Sequence, residues 1–163
     1  MAFGLLCALF ALALAGWRVM TQGEDDWLHE LVRFGPLGGF AAGTLCWRWL
    51  VAGKERYGLL LGAAVGALTG ILFYWFFFYF WILWGNVKYW ILGMEIHPLG
   101  GPPMNPLLAL VAAGPLGVWG IILYGSISIP VGFFLGGLSG FVMKRMKRRE
   151  RSLLPEEQLP PLA

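Results

Sequence analysis

The two histidines stand among carboxylates. His29 follows Glu24, Asp25 and Asp26 and precedes Glu30, and His97 lies two residues after Glu95. Imidazole and carboxylate together can hold a metal ion. The histidines are 68 residues apart and share no ligand-spacing motif, so the expectation is a pair of solvated or loop-capping side chains, with no metal site and no cofactor. Cys7 and Cys46 fall singly inside apolar runs, where a thiol behaves as a small packing group. No Asp, Glu, Lys or His falls in the middle of a long apolar run. Proton-coupled transport and intramembrane acid–base catalysis both need a titratable group there.

One short motif requires a chemical test. Gly137-Leu138-Ser139-Gly140 resembles the G-x-S-G nucleophile motif of the rhomboid intramembrane proteases. A nucleophilic serine needs a base within hydrogen-bond reach. Ser139 lies toward the inner end of the last apolar run, and both histidines belong to the outer side in the topology derived below. The motif is therefore read as part of a packing face, and the chain as no enzyme.

The elements that position these groups are membrane helices. The 163 residues are 58% hydrophobic and only 13% charged, where a soluble domain carries about 25% charged residues. Tyr57 to Trp84 contains no charge at all, and 28 helical residues reach roughly 42 Å against a hydrocarbon core about 30 Å thick. Its first half repeats glycine every fourth residue, at Gly58, Gly62, Gly66 and Gly70; its second is an aromatic block from Phe73 to Trp84. Lipid supplies no hydrophobic force between helices, so small residues that let backbones approach hold them together. The same spacing recurs at Gly35, Gly39 and Gly43 and at Gly132, Gly136 and Gly140. Aromatics on all sides of the helix imply lipid, subunit or pigment contact; with no ligating residue nearby, lipid or subunit contact is expected.

The fold expected is an all-α, four-helix transmembrane bundle packed by glycine zippers, a single domain over 1–143. Spans are expected at about 2–20, 35–53, 57–84 and 121–143. Outer loops cover 21–34 and 85–106, and Asp25 or Asp26 could start a short surface helix in the first of them. Residues 107–120 are expected to be interfacial or re-entrant, because Pro115 and Pro130 break the long apolar run. A basic, partly disordered tail covers 144–163.

Arg33-Phe34-Gly35 and Arg56-Tyr57-Gly58 begin two similar segments, the pattern of an inverted repeat; convergent packing is the favoured explanation. Four spans place eight basic residues inside (Lys54, Arg56, Lys144, Arg145, Lys147, Arg148, Arg149, Arg151) and three outside (Arg18, Arg33, Lys88). Cationic loops stay cytoplasmic, so both termini are expected in the cytoplasm of a bacterial inner membrane. Arg48 is expected to snorkel to lipid headgroups, and Lys144, Arg145, Lys147, Arg148 and Arg149 to meet anionic lipid. No aromatic interleaves that cluster, so nucleic acid is not an expected partner. The function expected is that of a non-catalytic subunit of a larger inner-membrane complex, beside other integral subunits, with hetero-oligomers favoured over homo-oligomers. The competing expectation is a self-assembling channel, holin-like pore or small transporter lined by Thr44, Thr69, Ser126, Ser128 and Ser139.

Overall fold

The computed structural model describes residues 2–22, 26–51, 58–93 and 103–153. Among them the chain is all-helical: α1 (Ala2–Gln22), α2 (Asp26–Leu50), α3 (Leu59–Leu92) and α4 (Pro106–Leu153). Three of these, α1, α3 and α4, are long and apolar enough to cross a membrane.

The helices start and stop for local reasons. Asn105 caps α4, its Oδ1 accepting from the Leu107 N–H at 2.9 Å. Pro106 takes the first helical position, where no N–H is needed. α3 ends where Gly93 adopts a left-handed conformation (φ 64°) and its N–H turns back to the Lys88 carbonyl.

Consecutive helices run antiparallel. Gly4 meets Thr44 between α1 and α2, and the Phe3 and Trp47 rings lie 4.6 Å apart, tilted by 30°. Gly38 meets Phe73 and Phe77 between α2 and α3, and Lys88 pairs with Glu30. Gly62 faces Gly136 and Gly70 faces Ser128 between α3 and α4. The start of α1, the end of α2, the start of α3 and the basic end of α4 therefore share one end of the bundle. α3 packs against α2 and most extensively against α4, whereas α1 packs on α2 and barely reaches α4. The core gathers Phe34, Tyr74, Phe77, Phe78, Ile82, Ala109 and Ala113.

Several boundaries differ from expectation. Residues 26–34 are not loop but the first turns of α2, which runs on through Pro36. Residues 85–92 continue α3. The break expected in α4 does not occur: it is one helix of 48 residues through Pro115 and Pro130. A proline deletes one backbone hydrogen bond, but opening the helix in an apolar setting would strand several polar groups, so the helix persists. The basic segment is helical as far as Leu153. Glu24, Asp25, Lys54, Arg56, Glu95, His97 and residues 154–163 lie outside the described residues, so expectations placed on them stay with the sequence.

The connected end of the α3–α4 hairpin is held by Asn86. Its Nδ2 donates to the Met104 carbonyl at 2.6 Å and its Oδ1 accepts from the Met104 N–H at 2.9 Å. Asn86→Ala leaves two half-buried backbone groups without these partners. A loss of about 1–3 kcal/mol is expected, and a thermal melt followed by circular dichroism measures it.

Candidate functional site

Three places in the bundle are candidates for function. The first is the seam between α3 and α4. A Cβ at Gly66 would fall on the Gly132 carbonyl oxygen, one at Gly62 or Gly132 would meet the other helix's backbone in the same way, and one at Gly70 would come within 2.8 Å of the Ser128 carbonyl oxygen. Gly136 and Gly140 meet the backbone of Gly62 and Gly58. A Cβ at Gly39 or Gly43 would instead meet Cys7 or Gly4 of α1, at 3.0 Å. A Cβ at Gly35 would make only ordinary contact at 3.9 Å, and one at Gly58 would meet open space. The fourth-residue spacing did not disclose Gly4, Gly38, Gly117 and Gly120, which also lie against a neighbouring helix.

The second place is a cleft. Because α1 and α4 scarcely touch, a space of about 520 Å³ opens between them above a floor of α3. Phe10 and Leu14 of α1 face Trp119 and Leu123 of α4 across it, with Phe73 and Phe77 on the floor. Among the described residues no charged side chain lines it. Four hydroxyl side chains line it, those of Thr69, Tyr74, Tyr124 and Ser128; Thr69 Oγ1 donates to the Val65 carbonyl of its own helix at 2.8 Å and Ser128 Oγ to the Tyr124 carbonyl of its own at 3.5 Å.

The hydroxyls named as pore candidates do not form one stripe. Thr69 and Ser128 line the cleft. Thr44 sits in the α1–α2 seam against Gly4 with its Oγ1 buried. Ser126 is exposed, and Ser139 donates to the Leu135 carbonyl at 2.8 Å. Ser139 also lies near the Leu59 end of α3 while His29 lies near the Lys88 end. That separation is roughly thirty residues, or about 45 Å along the axis, so His29 cannot serve Ser139 as a base.

The third place is a charged cluster that sequence reasoning missed. Glu30 Oε1 lies 3.6 Å from Lys88 Nζ and 3.9 Å from Arg33, whose guanidinium stands 5.6 Å over the Trp84 ring. Among the described side chains one carboxylate serves two cations, so this set of three carries a net positive charge. The Arg33 side chain is 56% exposed and that of Lys88 27%. Nothing local in the sequence joins Glu30 to Lys88; only the antiparallel register of α2 and α3 does. Glu30 Oε2 and Trp84 Nε1 are buried without a hydrogen-bond partner. An unpaired buried N–H costs stability, whereas the bare ring keeps its place under Arg33. Trp84→Phe is therefore expected to be neutral or to raise stability by up to about 1 kcal/mol, read as an unchanged or higher melting temperature.

The residues expected to meet lipid headgroups sit toward the basic end. Arg48 is exposed in the last turn of α2, beside Trp49, which is 74% exposed. Lys144, Arg145 and Arg149 are exposed on α4 beyond its contact with α3, and the backbone of Lys147 and Arg148 continues the same helix. Among the described residues no group of three or more His, Cys, Asp or Glu comes together to hold a metal ion. Cys7 and Cys46 are both free thiols. No protein-family model, curated protein or solved structure matches the chain.

Proposed function

We propose that the chain is a non-catalytic integral membrane subunit of a larger inner-membrane complex, and that it docks through the basic-side end of the α3–α4 hairpin. The observation that carries this reading is a mismatch in length. α2 bears Glu30 and Arg33 near one end and Arg48 near the other. From Glu30 to Arg48 is 18 residues, about 27 Å, close to the roughly 30 Å of a hydrocarbon core. Exposed Trp17 and Trp49 stand near opposite ends of the same layer, where interfacial tryptophans belong. In this reading α2 is a fourth span, and Arg48 snorkels.

The hairpin does not fit that layer. Cys46 and Val51 cluster with Val65, so Arg48 is level with about Val65 to Thr69 of α3. α3 and α4 continue apolar past that level, to Leu59 and to Met143. On α4 the excess is about eleven residues, roughly 16 Å. Tilt does not absorb it: from Pro106 to Met143 α4 has 38 residues, about 57 Å, and a steep 40° tilt still leaves about 44 Å. Leu60 is 79% exposed there, Phe134 74% and Leu138 60%. An apolar patch held outside the hydrocarbon marks a protein contact.

The glycine faces of α3 and α4 serve as a zipper inside the chain in this reading, so the partner meets large side chains. The positive-inside rule puts the basic end of α4 and the N-terminus in the cytoplasm. A different integral membrane chain is the favoured partner. A photo-crosslinking amino acid placed at Leu60 and at Phe134 in native membranes is expected to trap the same polypeptide. Placed at Leu9 of α1, which is 60% exposed, it is expected to trap lipid alone. Lipid adducts at all three positions would refute the docking end, and an adduct of twice the chain's own mass would assign self-assembly instead.

A further inference from the structure

The cleft and the charged cluster lie in line. Leu31 and Trp81 close the cleft at the end away from the basic segment. Lys88 is seven residues beyond Trp81. Seven residues are nearly two full helical turns, so Lys88 returns to the same face of α3, about 10 Å further along the axis. That rise is comparable to the depth of one headgroup layer. An uncharged apolar space thus ends, one headgroup layer higher, at two cations that share a single carboxylate.

Each part selects an occupant. Water gains little in the cleft, because its walls are mostly Phe, Leu, Val, Ile and Gly and two of its four hydroxyls, Thr69 and Ser128, already donate to their own helices; a cavity needs several free polar partners to hold water. A hydrocarbon chain loses nothing there. At the cluster, Arg33 is the more exposed cation and its planar fork suits a phosphate, while Lys88 adds a point charge. The net positive charge left after Glu30 favours an anion over a zwitterion.

We propose that the cleft and the Glu30–Arg33–Lys88 cluster form one site for an anionic phospholipid of the bilayer, with an acyl chain between α1 and α4 and the phosphate on Arg33 and Lys88. The site stands apart from the basic end of α4 and does not depend on the docking end of the hairpin.

Native mass spectrometry of the full chain, delipidated in mild detergent and titrated with phosphatidylglycerol or phosphatidylcholine, tests it. One phosphatidylglycerol is expected to be retained at least about tenfold more tightly than phosphatidylcholine. Arg33→Gln with Lys88→Gln is expected to abolish that preference, and Leu123→Trp, which fills the cleft, to release both lipids. Arg33→Gln alone, at an exposed position, keeps the test open should the double variant not fold; it is expected to weaken phosphatidylglycerol severalfold. Equal retention of the two lipids would overturn the proposal. So would a preference that survives loss of both cations, or a cleft-filling variant that still holds its lipid.

Discussion

Gly66→Ala is expected to destabilise the bundle more than any other single methyl addition. The new Cβ falls on the Gly132 carbonyl oxygen, with the Gly132 carbonyl carbon at 2.8 Å and the Gly136 Cα at 2.9 Å. All three are backbone atoms, so no side chain can swing aside; α3 and α4 must separate. Separation weakens dispersion contacts along the whole seam, since even a gap under 1 Å forfeits a large share of each. Ordinary overpacking costs about 1–3 kcal/mol, and this case belongs at or above the top of that range. Gly136→Ala makes the reciprocal clash, onto the Gly62 carbonyl oxygen and within 2.7 Å of the Gly66 Cα. Gly58→Ala meets nothing within 4 Å and serves as the control. Melts followed by circular dichroism are expected to fall sharply for Gly66→Ala and Gly136→Ala and to stay within error for Gly58→Ala. Equal melts for all three would mean that the hairpin is not held by this seam.

The second large effect concerns association. Leu60→Arg and Phe134→Arg change exposed side chains, so the isolated chain is expected to melt as before. In the complex they place a guanidinium in an apolar contact. Central interface residues cost 2 kcal/mol or more when lost, so each change is expected to weaken partner binding by about 30-fold or more. Co-purification with the partner from native membranes reads it. The two expectations separate this account from lipid exposure. If the positions faced hydrocarbon, the arginines would impair insertion and lower the melt, and partner recovery would follow the amount of folded chain.

What the sequence disclosed was periodicity. Gly62, Gly66 and Gly70 at fourth-residue spacing, and Gly132, Gly136 and Gly140 likewise, lie on single helix faces, and those faces meet. The all-helical class followed from uninterrupted apolar runs. The ends of elements were less legible. Glu30 and Arg33 made the start of α2 look like loop, because polarity there marks a change of solvent rather than the end of a helix. Pro115 and Pro130 looked like breaks, because the cost of a proline is local and the cost of opening a helix in an apolar setting is not. The cleft was not legible at all: it exists because α1 stays on α2 and does not reach α4, a fact of register between elements distant in sequence. The Glu30–Lys88 pair depends on the same kind of register, across 58 residues. The longer reach of α3–α4 over α1–α2 combined both difficulties, since helix lengths could be read and their relative heights could not.

The chain is proposed to work as one subunit among different chains. Native mass spectrometry of the untagged protein, extracted gently from its own membrane, tests that most directly. A complex of fixed stoichiometry containing at least one other integral membrane chain is expected, and its loss when Phe134 is replaced by arginine. Recovery of the chain alone, as a monomer or a closed homo-oligomer, would contradict it and send the inquiry to ion and solute flux in liposomes.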